Sequence, residues 1–78
     1  MKLKITKPDS VLFEGEVKLV QLPGTGGKFE VMENHAPIIS SLQKGVVRIV
    51  LPDGKEEQYD IRGGVVKSQQ NELMIVVQ

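Results

Sequence analysis

Hydrophobic residues recur at every second position along most of the chain, and this period predicts strands rather than helices. Residues 1–6 alternate apolar with polar side chains, and at the other end Leu73, Ile75 and Val77 alternate with Met74 and Val76 in an apolar run. A strand with one buried face produces such a pattern. The spacing of an amphipathic helix is not sustained anywhere, since the best helical candidate, residues 36–42, is short and carries Pro37 near its start.

Turn residues divide the alternating runs at short intervals. Pro52-Asp53-Gly54 lies between two such runs and predicts a hairpin. The buried parity changes between Leu19 and Val20, which predicts either a bulge or a strand that passes from one sheet to another. Further turn or bulge signals are Asp9-Ser10, Glu14-Gly15, Pro23-Gly24, Gly26-Gly27, Lys44-Gly45, Gly63-Gly64 and Gln70-Asn71. We therefore expect an all-β chain of about eight to ten strands packed as two sheets.

Length and charge bound the possible functions. The chain has 78 residues, which we expect to form a single domain over 1–78, and its core must be thin. It has no cysteine, so neither disulfides nor thiolate metal sites can stabilise it. A formal net charge of zero argues against binding to a phosphate backbone. A partner surface is the expected complement to such a small domain.

Catalytic and metal-binding patterns are sparse. The single histidine is His35, and only Glu33 flanks it at ligand spacing. A nucleophile could be sought in Ser40 or Ser41, but no nucleophile-elbow motif surrounds them. We expect no catalytic residue, no metal and no cofactor.

A glycine cluster, Gly24-Thr25-Gly26-Gly27-Lys28, suggests a phosphate-binding loop, but its spacing does not fit one. A Walker loop would need a glycine at Leu22 and a hydroxyl residue at Phe29. A loop whose glycines adopt positive φ is the better interpretation. The segment His35-Ala36-Pro37 leaves two interpretations open, the start of an edge strand or a loop that meets a partner.

The region from Leu22 to Gly45 resembles the signature segment of the epsilon subunit family of F-type ATP synthases. It carries Leu22-Pro23-Gly24, a glycine loop, Phe29-Glu30-Val31, His35-Ala36-Pro37 and a Leu42-Gln43-Lys44-Gly45 turn. Two more segments resemble family strands, Leu12-Phe13-Glu14-Gly15-Glu16-Val17 before it and Ile61-Arg62-Gly63-Gly64-Val65-Val66 after it. The likeness is collinear and covers essentially the whole chain.

The resemblance implies an all-β fold, a ten-stranded antiparallel β-sandwich of two five-stranded sheets. Longer family members continue into a two-helix hairpin that regulates the enzyme. The chain stops at Gln78, so the resemblance implies a short form with no C-terminal helical domain.

By the same resemblance, the chain is expected to be a non-catalytic central-stalk subunit of a proton- or sodium-translocating F-type ATP synthase. Its partners would be the gamma subunit and the rotor-ring (c) subunits, with no nucleic acid and with the membrane reached only through the complex. Its location would be the cytoplasmic face of the bacterial inner membrane. A stand-alone β-sandwich adaptor module is the alternative, and a nucleic-acid-binding barrel is disfavoured by the charge balance.

The resemblance also implies two sets of interface residues. The gamma-facing set is His35, Ala36, Pro37 and Ser40, and the rotor-ring-facing set is Gly26, Gly27, Lys28, Glu30 and Glu33. The chain departs from the family pattern here, because Lys28 stands where relatives are often acidic or polar, Glu30 replaces a usual glycine, and Met32-Glu33-Asn34 replaces a commoner Leu-Pro-Gly. We therefore expect Glu30 or Glu33 to pair with a basic residue of the ring.

Overall fold

The computed structural model describes residues 1–78, which form nine strands and no helix. No segment is therefore a helix long and apolar enough to cross a membrane. The strands are β1 (Lys2–Lys7), β2 (Ser10–Glu16), β3 (Leu19–Gly24), β4 (Gly27–Met32), β5 (Ile38–Leu42), β6 (Gly45–Val50), β7 (Glu56–Ile61), β8 (Gly64–Gln69) and β9 (Glu72–Val77).

The strands form one hydrogen-bonded sheet that curls into two arms. The first arm has the order β2-β1-β9-β8-β5, and the second arm has the order β4-β3-β6-β7. The arms are joined where Gly24 at the end of β3 pairs with Leu42 at the end of β5. The all-β prediction is confirmed.

Two details of the predicted sandwich are corrected. There are nine strands rather than ten, five in the first arm and four in the second. The sheet is not wholly antiparallel either, because β1 and β9 run parallel. Their register places Leu3 beside Leu73 and Ile5 beside Ile75, and all four side chains are buried. The parallel pairing of the first and last strands thus brings large apolar side chains together in the core.

The parity change between Leu19 and Val20 reflects a passage between the arms. The linking residues Val17 and Lys18 lie between β2 and β3. The Val17 N–H donates to the Met1 carbonyl at 3.0 Å, whereas the Lys18 N–H donates to the Val50 carbonyl in the second arm at 2.7 Å. Both sequence interpretations assumed one continuous strand, whereas β2 ends at Glu16 and β3 begins at Leu19, so the chain passes between the arms through a break between two strands.

The predicted hairpin at Pro52-Asp53-Gly54 is confirmed as the β6–β7 connection. Val50 pairs with Glu56 across the strands, and the Leu51 N–H donates to the Lys55 carbonyl at 2.7 Å. The Asp53 Oδ1 atom accepts the Lys55 N–H at 3.0 Å, and Gly54 adopts a φ of 91°. The Glu14-Gly15 signal is wrong, because both residues lie inside β2, where Glu14 pairs with Lys4.

Both arms contribute to a single core of 15 buried apolar residues. Ile75 and Val66 enter it from the first arm, and Val47 and Ile49 enter it from the second. Where β2 and β7 face each other, the rings of Phe13 and Tyr59 meet edge to face with centroids 6.4 Å apart. The opposite side, between β4 and β5, is more open.

Candidate functional site

A cleft lies between the two strands that flank the loop at residues 33–37. It has a volume of about 350 Å³ and is lined by Phe29 to Val31 on one side and by His35, Ala36 and Ile38 to Ser40 on the other. We call it the β4–β5 cleft. β4 pairs only with β3, and β5 pairs with β8 but reaches β3 only at Leu42. Both strands therefore present an edge without a partner strand here.

His35 anchors the loop to the first arm. Its Nδ1 atom lies 3.0 Å from the Ala36 carbonyl oxygen and 3.3 Å from the Ser68 hydroxyl. The Ser68 hydroxyl also accepts the Ile38 N–H at 3.2 Å. The Nε2 atom of His35 is buried and has no hydrogen-bond partner. The half-buried ring therefore holds the loop against β8 through its Nδ1 atom alone.

Neither of the two serines considered as nucleophiles, Ser40 and Ser41, forms a hydrogen bond with His35. The Ser40 hydroxyl donates to the Ser41 carbonyl at 3.2 Å, and the Ser41 hydroxyl bonds the Thr25 hydroxyl at 2.9 Å. No group of three or more histidine, aspartate or glutamate side chains is placed to hold a metal ion.

Ser68 was missed by the sequence reasoning. It is 3% exposed, and it lies in β8 at the same parity as the buried Val66. Period-two counting from Val66 places a serine on the inward face, where a hydroxyl needs a partner. The inward position of Ser68 could therefore have indicated that its hydroxyl bonds another side chain, which the structure identifies as His35.

Glu33 already binds a cation of its own chain. Its Oε1 atom accepts a hydrogen bond from the Met1 α-ammonium at 2.7 Å, and Glu16 pairs with the same ammonium at 3.2 Å. The Val17 carbonyl accepts a third bond from it at 3.1 Å. These contacts tie the loop that carries His35 to the start of the first arm.

The ammonium and Glu33 shift each other's pKa. Burial lowers the pKa of the Met1 amine, but the hydrogen bonds to Glu33 and Glu16 and the negative charges of both carboxylates together raise it above its ordinary 8.0. The hydrogen bond from the ammonium, reinforced by its charge, lowers the pKa of Glu33 below its ordinary 4.5. Both groups are therefore ionised at neutral pH.

Glu30 belongs to a polar ladder on the outer face of the second arm. Arg48 lies 3.6 Å from the Glu30 carboxylate and 3.0 Å from that of Glu56. The Gln21 side chain bridges Glu30 and Arg48. It donates to the Glu30 carboxylate at 3.5 Å and accepts from the Arg48 Nε–H at 3.4 Å. Glu30, like Glu33, remains partly exposed but is already paired within the chain.

Thr25 and Gly26 form the tight β3–β4 turn, and Gly27 and Lys28 are the first residues of β4. Gly27 has a φ of 127°, which favours glycine, so the predicted positive φ is confirmed at this one glycine of the cluster. The connection itself is a two-residue turn rather than a longer loop, because Gly24 ends β3 and Gly27 begins β4. Lys28 is exposed and forms no ion pair within the chain. The bond between the Thr25 and Ser41 hydroxyls ties this turn to the end of β5.

The structure brings most of the predicted gamma-facing residues together but separates the predicted ring-facing residues. Three gamma-facing residues, His35, Ala36 and Ser40, meet at the β4–β5 cleft, and Glu30 of the ring-facing set lines it too. Pro37 is exposed in the adjoining loop. The rest of the ring-facing set lies at the two ends of β4, with Gly26, Gly27 and Lys28 before or at its start and Glu33 just after its end.

Comparison with known proteins places this geometry in a family. The family model described as "ATP synthase, Delta/Epsilon chain, beta-sandwich domain" matches residues 1–78. The ATP synthase epsilon chain of a Nitratiruptor species is 41% identical over 78 residues, which is all of this chain and 60% of that relative. The ATP synthase epsilon chain of Chlorobium limicola is 36% identical over 77 residues, 99% of this chain and 88% of that relative.

Solved structures share the fold. A chain of the Euglena gracilis mitochondrial ATP synthase (OSCP/F1/c-ring) superposes with a TM-score of 0.90 at 23% identity, covering 96% of this chain and 48% of that one. A chain of the Tetrahymena thermophila mitochondrial ATP synthase central stalk/c-ring gives a TM-score of 0.80 at 14% identity, covering 99% and 62%. The whole-chain family match and the two bacterial relatives carry the assignment: the chain belongs to the β-sandwich family of ATP synthase delta/epsilon chains.

Proposed function

We propose that the chain is a non-catalytic central-stalk subunit of an F-type ATP synthase that couples rotation of the rotor ring to the catalytic head through the gamma subunit. The observation that carries the proposal is the similarity to the Chlorobium limicola epsilon chain, of which this chain spans 88%. The similarity to the Nitratiruptor epsilon chain agrees with it, although this chain spans only 60% of that relative.

In this proposal the gamma subunit contacts the β4–β5 cleft and its loop through His35, Ala36, Pro37 and Ser40. The free strand edges and the exposed Pro37 make this side of the molecule available to a partner. The hydrogen bonds of His35 to Ala36 and Ser68 hold the loop in one position before the partner arrives. Preorganisation of this kind lowers the entropy lost on binding.

The rotor ring would contact Gly26 in the β3–β4 turn and Gly27 and Lys28 at the start of β4, with Glu30 and Glu33 extending the surface along β4. Lys28 is the cation without an ion-pair partner here, so we propose that it meets a carboxylate or carbonyl group of the ring. Glu30 and Glu33 would pair with a basic ring residue only in addition to their bonds with Arg48 and the Met1 ammonium.

The mechanism is mechanical. Both arms are packed on one core, and the molecule measures 27 × 24 × 19 Å, so a force applied at the β3–β4 turn reaches the β4–β5 cleft through a close-packed body. The subunit would work at the cytoplasmic face of the bacterial inner membrane, with a proton or sodium ion driving the ring.

Co-expression with the gamma subunit of the same complex, followed by size-exclusion chromatography, tests the proposal. We expect a stable one-to-one complex. If the two proteins elute separately at micromolar concentration, the chain is not a stalk subunit. That result would favour the alternative of a stand-alone β-sandwich adaptor module.

The ring contact is tested by charge reversal in the assembled complex. Lys28→Glu should reduce ATP-driven ion pumping by membrane vesicles, whereas the matched change Lys55→Glu in the β6–β7 hairpin should leave pumping unchanged. A double reversal of Glu30 and Glu33 to lysine should weaken attachment of the head to the membrane, measured below the melting temperature of the variant. Unchanged pumping and attachment in both cases would remove these residues from the ring surface.

A further inference from the structure

The α-ammonium group of Met1 is surrounded by three acceptors, which matches its three hydrogens. It donates to the Glu33 carboxylate at 2.7 Å and to the Val17 carbonyl at 3.1 Å, and it lies 3.2 Å from the Glu16 carboxylate. We call the ammonium and the two carboxylates the N-terminal clasp. We propose that the Met1 α-amine is a modification-sensitive site: an acyl group on it opens the clasp, so a newly made chain docks residues 33–37 only after a formyl group has been hydrolysed from its nitrogen.

The clasp joins parts of the chain that are distant in sequence. Met1 belongs to the first arm, because it exchanges two backbone hydrogen bonds with Val17 and so continues the β1–β2 ladder by one residue. Glu33 lies just after β4, at the start of the loop that carries His35. Of the three contacts of the ammonium, the contact with Glu33 is therefore the one that reaches the loop.

An acyl group changes the nitrogen in a way that affects these contacts unequally. An amide nitrogen has no charge and one hydrogen, which can still bond the Val17 carbonyl as an ordinary ladder bond. Glu16 and Glu33 then lose the cation between them, and two negative charges and the new acyl oxygen face one another. Acylation should therefore break the contact with Glu33 and leave the β1–β2 ladder in place.

No second cation is placed to close the clasp. Lys2 follows Met1 in sequence and is in register with Glu16, and Lys18 follows Val17. Neither lysine forms an ion pair within the chain. The two carboxylates of the clasp thus depend on the α-ammonium for their positive partner.

The contact with Glu33 is the shortest of the side-chain contacts that hold the loop. The Asn34 N–H donates to the Asn71 side chain at 3.3 Å, and the His35 Nδ1 atom lies 3.3 Å from the Ser68 hydroxyl. The 2.7 Å contact of Glu33 is ionic at both ends, and such bonds are stronger than neutral ones. Its loss should therefore loosen the whole loop.

The burial of Met1 sets the order of the two events. Newly made bacterial chains begin with a formylated methionine, and Met1 is only 2% exposed once the chain has folded. A hydrolase must therefore reach the nitrogen before the loop docks. In the reaction, water adds to the formyl carbon, the C–N bond breaks, formate leaves, and the released amine takes up a proton. The product is the ammonium that Glu16 and Glu33 bind.

Hydrogen exchange of chemically synthesised chains with a free, formylated or acetylated α-amine tests the proposal. The Asn34 and Ile38 amides report on the two ends of the loop, because they donate to Asn71 and Ser68. Both should exchange about tenfold faster in the acylated chains, as expected for loss of a hydrogen bond between charged groups. The Val17 amide, which donates to the Met1 carbonyl, should change less than about twofold.

Two controls separate the clasp from a general effect of acylation. Acetylation of the Lys55 side chain, which is 81% exposed, should leave the exchange of the loop unchanged. In the Glu16→Gln/Glu33→Gln background, acylation of the α-amine should change loop exchange less than about twofold, because the carboxylates through which it acts are absent.

Three results would overturn the proposal. The first is equal loop exchange in the free and acylated chains. The second is equal acceleration of the Val17 and Ile38 amides, which would mean that the amine supports the whole first arm rather than the loop. The third is a chain that carries an acyl group or preceding residues on Met1 when its intact mass is measured after recovery from cells. We expect a free amine there, and a formyl group when the hydrolase is inhibited.

Binding of the gamma subunit extends the test and rests on the proposed function, because His35, Ala36 and Pro37 lie in this loop. The free chain should bind gamma several-fold more tightly than the formylated chain, since a loosened loop loses entropy on binding. The exchange measurement needs no partner, so the two failures are distinguishable. Faster loop exchange in the acylated chains, with no binding of gamma by any chain, would contradict the proposed function and support the clasp.

Discussion

Gly64 allows the last strand to approach β8 at a point where no side chain can fit. A Cβ atom added at Gly64 would collide with the Val76 carbonyl oxygen and would lie 3.1 Å from the Val77 Cα atom. Both obstacles belong to the backbone, so the contact cannot be relieved by a side-chain rotation. The second glycine of Gly63-Gly64 is therefore required by packing between β8 and β9.

We predict that Gly64→Ala destabilises the fold by about 3 kcal/mol or more, because the strands must separate to admit the methyl group. Gly26→Ala is the matched control, since an added Cβ at Gly26 meets nothing within 4 Å. It should be neutral or stabilising by about 0.5 kcal/mol through the unfolded state. Denaturant unfolding of both variants measures the difference, and equal stability of the two would contradict the close approach.

The ion pair between Glu33 and the Met1 ammonium makes the stability of the fold depend on pH in both the acidic and the alkaline range. The pKa of Glu33 is lowered, so its contribution is present above 4.5 and is lost as pH falls through the lower, folded value. The pKa of the amine is raised, so its contribution is present below 8.0 and is lost as pH rises through the higher, folded value. The pair should therefore stabilise the fold most between these two limits.

We predict that Glu33→Gln lowers the melting temperature at neutral pH, and that its difference from the wild type shrinks toward both acidic and alkaline pH. Glu72→Gln is the control, because Glu72 is exposed and forms no ion pair. Thermal melts of the three proteins across pH give the measurement. A Glu33→Gln difference that stays constant with pH would show that charge is not the source of its effect.

At the scale of elements, the β8–β9 hairpin turns through two residues with left-handed backbone. Gln70 has a φ of 53° and Asn71 a φ of 60°. Asparagine tolerates this conformation, and its side-chain oxygen also accepts the Asn34 N–H at 3.3 Å. Glutamine gains no such compensation, so Gln70 is the strained position of the turn.

We predict that Gln70→Gly stabilises the chain by about 0.5–1 kcal/mol, because relief of the left-handed strain exceeds the added entropy of the unfolded glycine. Gln58→Gly in the exposed face of β7 should instead destabilise it by a similar amount. Chemical denaturation distinguishes the two. A loss of stability in Gln70→Gly would mean that the glutamine side chain supports the turn in another way.

Local patterns in the sequence predicted the elements that depend on local chemistry. Alternation predicted β1, β6 and β9, and Pro52-Asp53-Gly54 predicted the β6–β7 hairpin. The Glu14-Gly15 signal failed because Gly15 sits inside β2 with the Phe13 ring packed 3.5 Å from the position of its missing Cβ. A glycine inside a strand cannot be distinguished from a turn glycine by its neighbours in sequence alone.

At the scale of the whole molecule, the arrangements that the sequence did not predict join distant parts of the chain. The parallel pairing of β1 with β9 brings Leu3 beside Leu73, and no periodicity encodes which strands become neighbours. The binding of Glu33 to the Met1 ammonium joins residues 32 positions apart. The family resemblance predicted both interface sets, but only the folded structure reveals that Glu30 and Glu33 are already paired within the chain.

The proposed transmission of force requires both arms to behave as one body, and the shared core predicts that they do. Ile75 in the first arm and Ile49 in the second are both fully buried in the same cluster. Ile75→Val and Ile49→Val remove the same methylene group from opposite arms, and each should cost about 0.5–1.5 kcal/mol. A domain of this size has only about 4–12 kcal/mol of stability, so these small changes keep the fold intact while remaining measurable.

We predict that either substitution lowers the free energy of amide hydrogen exchange by the same amount in both arms, because the core opens as a single cooperative unit. The most protected amides of β9 and of β6 report on the two arms separately. Ile39→Val, at a highly exposed position, is the control and should leave exchange in both arms unchanged. If Ile75→Val loosened only β9 and its neighbours while β6 kept its protection, the arms would open independently, and the molecule could not carry torque as a rigid body.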